Sequence, residues 1–398
     1  MWVMERSEFV ELLSSEGLRL LDSLPPYRTE KDVLRLVTDL RKRGHSPGLV
    51  AAVLTQSKLR RKAVAKFGDF ASRMLFTEAG LEQATRLSVA ARHAGRFRTA
   101  GIRRVADLGC GIGGDALAFA AIDLEVTAVE ADEVTAAIAA YNLAPFPSAT
   151  VVHGRAEETD LRAVEGVFLD PARRTAGHAQ TERLTDPDDY TPSLGFAYEI
   201  ATGRSVGIKL GPGFDRDLIP SNAEAQWISS DGQVVELGLW FGALARSGTR
   251  RAALVLRGDD AHELTAEADS EDAETGDLGE YLYEPDGAVI RARLIGDLAR
   301  SLGGRMVADG IAYITADAAV ETPFAAGFRV LETLPYGERD LKRALRDRGI
   351  GTLEIKKRGV DVDPAALRKR LALNGDRSAT LILTRIAGRH TALLAERL

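Results

Sequence analysis

The chain of 398 residues contains a single cysteine, Cys110. A lone thiol cannot close an intrachain disulfide, and it excludes a cysteine-built zinc cluster. The six histidines are scattered without paired spacing, so no metal is expected. No apolar run is long enough to span a bilayer, which excludes a membrane helix. The opening residues, "MWVMERSEFVELLSSEGL", carry acids early and have no apolar signal core, so a cytoplasmic protein is expected. There is no internal repeat and no low-complexity tract. The glycine turn near residue 110 is not followed by Gly-Lys-Ser/Thr, which sets aside a phosphate-binding P-loop.

What is present describes a globular protein with real cores: hydrophobic residues make up 45% and charged residues 28%. The length suits two to four domains. The net charge of −6 hides an asymmetry. Residues 1–105 are basic by about nine charges and residues 329–398 by about seven, so the middle is strongly acidic. Basic ends suit nucleic-acid contact, and they equally suit helices with solvated Lys and Arg.

Residues 1–100 read as helical. Apolar residues recur every three or four positions in "EFVELLSSEGLRLLDSL", and Thr29, Ser46 (before Pro47) and Thr77 are N-cap signals. The segment "TEAGLEQATRLSVAARHAGRF" reads as one helix capped by Thr77, with Gln83 and Thr85 as helix-surface residues or as part of a cover over a ligand. From 101 to 258 short apolar strands alternate with helices, which predicts a mostly parallel sheet covered on both faces. The run "DDAHELTAEADSEDAETGDLGE" carries no basic residue and reads as a surface excursion or linker. Residues 259–324 join it to a small helix-and-strand insert, and 325–398 alternate strand, helix, strand, helix, strand.

The stretch "VADLGCGIGGDALAFA" is a strand, a tight turn and a helix. Gly109, Gly111, Gly113 and Gly114 let backbone approach a ligand closely, and the helix offers its free N–H groups. The motif loosely fits a dinucleotide fingerprint. Two acids change the reading. Asp107, at the carboxyl end of the first strand, suits a ligand with an amino group. Glu130, ending the second strand about 20 residues on, can take both hydroxyls of a ribose.

Asp-x-Gly-x-Gly followed by an acid at the next strand end resembles the S-adenosylmethionine site of class I methyltransferases. By that resemblance Asp107 and the turn backbone of Gly109, Gly111 and Gly113 hold the methionine part, Glu130 holds the ribose, and Asp115 is a further cofactor-binding residue. Ala131, Asp132, Arg155 and Ala156 flank the adenine. The fourth strand ends in "FLDPARR". It resembles the Asp/Asn-Pro-Pro-aromatic element of methyltransferases acting on nucleic-acid bases, where the acid accepts from an exocyclic amine. Here Asp170 and Pro171 fit, while Ala172 and Arg173 replace the second proline and the aromatic. Asp170, Pro171 and Arg173 are therefore the expected catalytic set. "DPAR" is also similar to uracil-C5 RNA methyltransferases, which need a cysteine nucleophile. Cys110 sits inside the cofactor turn, so that covalent route is not expected. Arg174 and Lys209, at the strand ends where ligands gather, are candidate substrate or phosphate contacts; Lys209 could also hold its head in water.

The tail "LEIKKRGVDVDPAALRKRLALNGDRSATLILTRIAG", with "LFTEAGLEQAT" and "YEPDGAVIRARL", resembles a bacterial group of class I methyltransferases ending in a THUMP-like domain. The resemblance implies a Rossmann-like α/β sheet, an N-terminal helical domain, and small ferredoxin-like and THUMP-like α/β domains. It also implies an RNA substrate, tRNA or rRNA. Lys356, Lys357 and Arg358, with Arg368, Lys369 and Arg370, would contact phosphate. The core is also similar to RNA cap guanine-N2 methyltransferases, without their proline-proline-tryptophan element. The leading expectation is thus a methyltransferase acting on an RNA base by direct transfer. The alternatives are a protein or small-molecule methyltransferase, and an RNA-binding factor that holds the cofactor without chemistry. The oligomeric state is left open.

Overall fold

The computed structural model describes residues 6–25, 29–173 and 190–398. Six helices come first: α1 (Arg6–Leu13), α2 (Ser15–Asp22), α3 (Glu30–Lys42), α4 (Pro47–Phe67), α5 (Glu78–Gln83) and α6 (Leu87–Thr99). Their starts follow the sequence signals. Ser14, Thr29, Ser46 and Thr77 each accept a backbone N–H at an N-terminus, and Thr29 completes a capping box with Asp32. The single helix expected over 77–97 is instead two, α5 and α6. Thr85, between them, meets the side chains of Asp115 in the helix after the first strand and of Lys209.

The alternating region follows as β1 (Arg104–Leu108), α7 (Gly114–Ala120), β2 (Glu125–Glu130), α8 (Glu133–Leu143), β3 (Ala149–His153) and β4 (Gly166–Leu169). A two-residue ladder pairs β5 (Ala172–Arg173) with β6 (Tyr190–Thr191), and α9 (Leu194–Ala201) leads to β7 (Ser205–Leu210). Then come β8 (Glu224–Ser230), β9 (Gln233–Phe241), β10 (Arg251–Arg257) and β11 (Asp260–Ala266). The nine-stranded sheet has the order β11-β10-β8-β9-β7-β4-β1-β2-β3. β1 pairs parallel with β2 and β4, β2 with β3, β4 with β7, and β8 with β10. Parallel strands bury both faces, hence the apolar run of β4 and the four buried residues, 105–108, of β1. The order reverses beside β1, between β2 and β4, and ligands of such sheets gather outside the strand ends at that point.

The chain divides into two compact units, Met1–Lys209 with Trp240–Leu244, and Leu210–Leu239 with Ala245–Leu398. In the first, one apolar core runs from the helices into the sheet through Val53, Phe67, Phe76, Phe97, Phe119 and Phe168. Asn142 of α8 stitches the two parts: its side chain bonds both backbone groups of Leu75 and the carbonyl of Ile112. The helices therefore have no core separate from the sheet they cover.

In the second unit the acidic run does not stay irregular. Its first part is β11, antiparallel to β10 across a two-residue turn at Gly258 (φ 56°). Its acids have partners: Glu263 meets Arg246, and Asp269 meets Arg216 and Arg251. The remainder is β12 (Tyr281–Pro285), α10 (Gly287–Arg291), α11 (Ile295–Ser301), β13 (Arg305–Met306), β14 (Ile314–Ala316), β15 (Ala325–Leu334), α12 (Glu338–Asp347), β16 (Ile350–Lys357), α13 (Pro364–Leu371), β17 (Arg377–Ile386) and β18 (Arg389–Arg397). They form a second sheet, β13-β14-β12-β15-β18-β17-β16. One apolar cluster joins its strands to α12 and α13; another packs Leu282, Tyr313, Phe328 and Ile382. No helix among the described residues is long and apolar enough to cross a membrane.

Candidate active site

The turn after β1 is built from left-handed glycines. Gly109, Gly111 and Gly113 have φ of 81°, 56° and 86°, which any other L residue adopts only with strain. The amides of Gly109 and Cys110 both donate to the Val129 carbonyl, at 2.9 and 3.0 Å, locking the turn to β2. A Cβ on Gly109 would lie 3.3 Å from the Asp170 carbonyl oxygen, so the ends of β1 and β4 meet there. A Cβ on Gly111 would meet nothing within 4 Å: the turn is open to a ligand on that side.

Asp107 is 1% exposed, and among the described residues its Oδ2 has no hydrogen-bond partner. Burial drives its carboxyl well above the usual range, and Asp115 and Asp170 push it further; Lys209 and the Ala116 amide oppose. A buried acceptor left without a donor is costly, and an incoming ammonium would remove the cost. Glu130 is arranged differently. Its Oε2 accepts from the Gly111 amide at 3.0 Å and its Oε1 from the Asp132 amide at 2.9 Å. Each carboxylate oxygen keeps a second lone pair, the requirement for taking a pair of hydroxyls. The donor set thus fits an amino-acid end at Asp107 and a ribose at Glu130.

The flanking residues lie around the ends of β2 and β3, where Glu130 is in register with His153. Asp132 caps α8 by accepting from Thr135. The Ala131 carbonyl is 3.1 Å from His153 Nε2. Arg155 is exposed, 3.6 Å from Glu157, and Ala156 is buried in the short turn that follows.

Asp115 is placed otherwise than expected. It is buried in the first turn of α7, and both oxygens are engaged by protein: Oδ2 accepts from Thr85 Oγ1 at 2.6 Å, and Oδ1 lies 2.8 Å from His93 Nδ1. Burial would raise its pKa, yet the His93 bond and charge, Lys209 and Thr85 hold it below the usual range. Its carboxylate ties helices to sheet. Lys209 pairs with Asp170 and donates to Thr85 Oγ1 at 2.9 Å, with 11% of its side chain exposed. Thr85, expected on a helix surface, is buried at the centre of this chain of contacts; Gln83 is exposed.

Sequence reading missed His93 as part of the site and offered Thr85 only as one of two alternatives, a helix-surface residue or part of a cover over a ligand. Their partners are 22 to 124 residues away in the chain. The one local signal was a β-branched Thr followed by Arg interrupting a helical pattern. Lys66 was missed too. It donates to the carbonyls of Leu81, Glu82 and Ala84, closing the C-terminus of α5. Burial, then Lys209 and Arg86, lower its pKa to about 8.

Pro171 is buried beside Asp170, and Arg173 lies in the two-residue strand β5. Arg174 falls outside the described residues. Cys110 is buried, and burial with Asp107 and Glu130 raises its thiol well above the usual value, which disfavours the thiolate a covalent route needs. In the second unit, β16 splits its three cations. Lys356 pairs with Glu284 at 2.9 Å and Arg358 lies 4.0 Å from the same acid, while Lys357 is exposed. Lys356 and Arg358 are thus held by an acid rather than standing open to phosphate.

Residues 325–397 match the family described as THUMP domain-like, and residues 5–63 match a domain of unknown function, DUF8688. An uncharacterized S-adenosylmethionine-dependent methyltransferase of Mycobacterium tuberculosis, from strains H37Rv and CDC 1551, is 36% identical over 355 residues, covering 86% of this chain and 93% of that one. A solved structure assigned as a methyltransferase, from Porphyromonas gingivalis W83, shares the fold with a TM-score of 0.70 and 22% identity, covering 94% of this chain and 99% of that one.

Proposed function

Since the chain belongs to the S-adenosylmethionine-dependent methyltransferases, we propose that it methylates a base in RNA, tRNA or rRNA, by direct transfer without a covalent enzyme intermediate. When bound, the cofactor supplies an electrophilic methyl group on a sulfonium. In this reading Asp107 receives its ammonium, Glu130 its ribose hydroxyls, and the Gly109–Gly113 turn lets it lie against backbone.

The observation that carries the reading is the end of β4. Asp170 pairs with buried Lys209, and its carbonyl faces Gly109 across the turn. Carboxylate and carbonyl are two acceptors at the ligand-facing end of the sheet. An exocyclic amine donating to them has its lone pair directed away from the acceptors, toward the cofactor turn. Lys209 holds the Asp170 carboxylate in one place, which is the positioning a direct displacement requires. As the nitrogen gains the methyl it must lose a proton, and Asp170 is the candidate acceptor. The raised thiol of Cys110, the chain's only cysteine, supports transfer without a covalent step. The THUMP-like match over 325–397 and the basic charge of that segment support RNA as substrate.

The test is tritium transfer from labelled S-adenosylmethionine to total RNA from a strain lacking this protein, with Asp107→Ala as control. Label in RNA with the intact site alone supports the reading, and nucleoside digestion then identifies the base. Label absent from RNA despite measurable cofactor binding overturns it in favour of a protein or small-molecule acceptor, or of a binding factor without chemistry. Asp170→Ala is expected to lower transfer by about a hundredfold or more while cofactor affinity stays nearly unchanged; loss of cofactor binding would contradict its role.

A further inference from the structure

Within the THUMP-like segment four side chains from separate strands or strand ends come together. In register, Lys357 of β16 stands opposite Leu383 of β17, Leu383 opposite Ala392 of β18, and Arg385 opposite His390. Opposed residues share a face, and so do residues two apart on a strand. Lys357, Arg385 and His390 therefore lie on the face of Leu353, Ile355, Leu383 and Ala392, the face covered by α12 and α13, but beyond the end of that core. Tyr336, just after β15, joins them: its ring stacks on His390 with centroids 4.9 Å apart and planes at 26°. Lys357, Arg385, Arg389 and His390 are exposed, and Tyr336 is partly so.

The two faces of β16 differ sharply. Lys356 and Arg358, on the opposite face, are held by Glu284, and Arg358 lies over the Tyr313 ring. Among the described residues no ion pair is formed by Lys357, Arg385 or Arg389. Mobile cations around a stacked aromatic pair provide the two elements that hold single-stranded nucleic acid: charge for the backbone and a flat surface for a base.

We infer that Tyr336, Lys357, Arg385 and His390 form a docking platform for a single-stranded segment of RNA, with a base on the Tyr336–His390 stack and phosphates at the two cations. This inference rests on the RNA reading above and assigns it a surface. It moves the phosphate contacts away from Lys356 and Arg358 to Lys357 and the β17–β18 hairpin.

The full chain is used, with end-labelled total small RNA from a strain lacking the protein as probe in filter binding. His390→Ala is expected to weaken binding about tenfold. Lys357→Ala with Arg385→Ala is expected to weaken it similarly and to reduce the salt slope by about one to two. Lys356→Ala should bind as the parent does. Melting temperatures near that of the parent exclude misfolding as the cause. If the parent binds RNA and the platform variants bind equally well, the platform is overturned and the RNA reading stands. If the parent binds no RNA and labels none, both fall.

Discussion

Asp107 is buried and Lys209 largely so, and burial makes each of them testable. Asp107 has its carboxyl raised by burial and by Asp115 and Asp170. A carboxyl with a raised folded pKa contributes stability that is fully present below its ordinary value of about 3.9 and is lost as pH rises through the folded value. Asp107→Asn removes that loss. Without cofactor, the variant should melt above the parent at neutral and alkaline pH, and the gap should close below about pH 4. Its cofactor-induced rise in melting temperature should be smaller than the parent's. Scanning fluorimetry across pH reads both, and a gap independent of pH would refute the buried-carboxyl account. Lys209→Met leaves Asp170 without its partner at a largely buried pair. Removing one member of such a pair costs about 3 kcal/mol or more, measurable by urea unfolding. Turnover should fall at least tenfold, as about 1.4 kcal/mol of lost positioning would give, and cofactor affinity should stay nearly unchanged.

The elements differ in how far their sequences announce them. The strand β1, its glycine turn and α7 were legible because the signal is local: apolar residues, then glycines at positions whose φ is positive, then a helix. The acid at the end of β2 and the Asp-Pro at the end of β4 were legible for the same reason. The break between α5 and α6 was not. Nothing within a few residues of Thr85 states that Asp115 and Lys209 will draw it inward. Lys66 fixes this break by closing α5 from the side of α4. Lys66→Met leaves three carbonyls without that donor and is expected to cost about 2 kcal/mol. Amides from 84 to 86 should exchange faster in hydrogen exchange while those of β1 and β4 are unchanged. Uniformly faster exchange would show that Lys66 supports the whole core instead. Glycine placement gives a second test. Gly109→Ala must hold an L residue at φ 81° with its Cβ 3.3 Å from the Asp170 carbonyl. It should displace β1 from β4 and lower both cofactor affinity and turnover, in contrast to the Asp170→Ala variant.

At the scale of the whole molecule, net charge is a poor guide to the partner. The sum is −6, yet the last seventy residues are basic by about seven. Several acids of the middle are already held by cations of the middle: Glu224 and Glu263 by Arg246, and Asp269 by Arg216 and Arg251. An exposed charge acts over roughly 10 Å at ordinary ionic strength, so a phosphate responds to the cations beside it and not to the total. On the proposed reading, RNA binding through those cations would release counterions, and its constant would fall linearly with salt on logarithmic axes. On the proposed reading, cofactor binding at Asp107 and Glu130 is a short-range contact and is expected to have no such dependence. The ratio of turnover to Michaelis constant for RNA should therefore fall by about a hundredfold or more between roughly 50 and 200 mM salt, if five or six phosphates are held. The cofactor dissociation constant, measured by calorimetry over the same range, should move less than twofold. A protein whose acceptor is a small uncharged molecule would show both quantities flat. Parallel decline of the two would point to salt acting on the fold, which the melting temperature at each salt concentration would reveal.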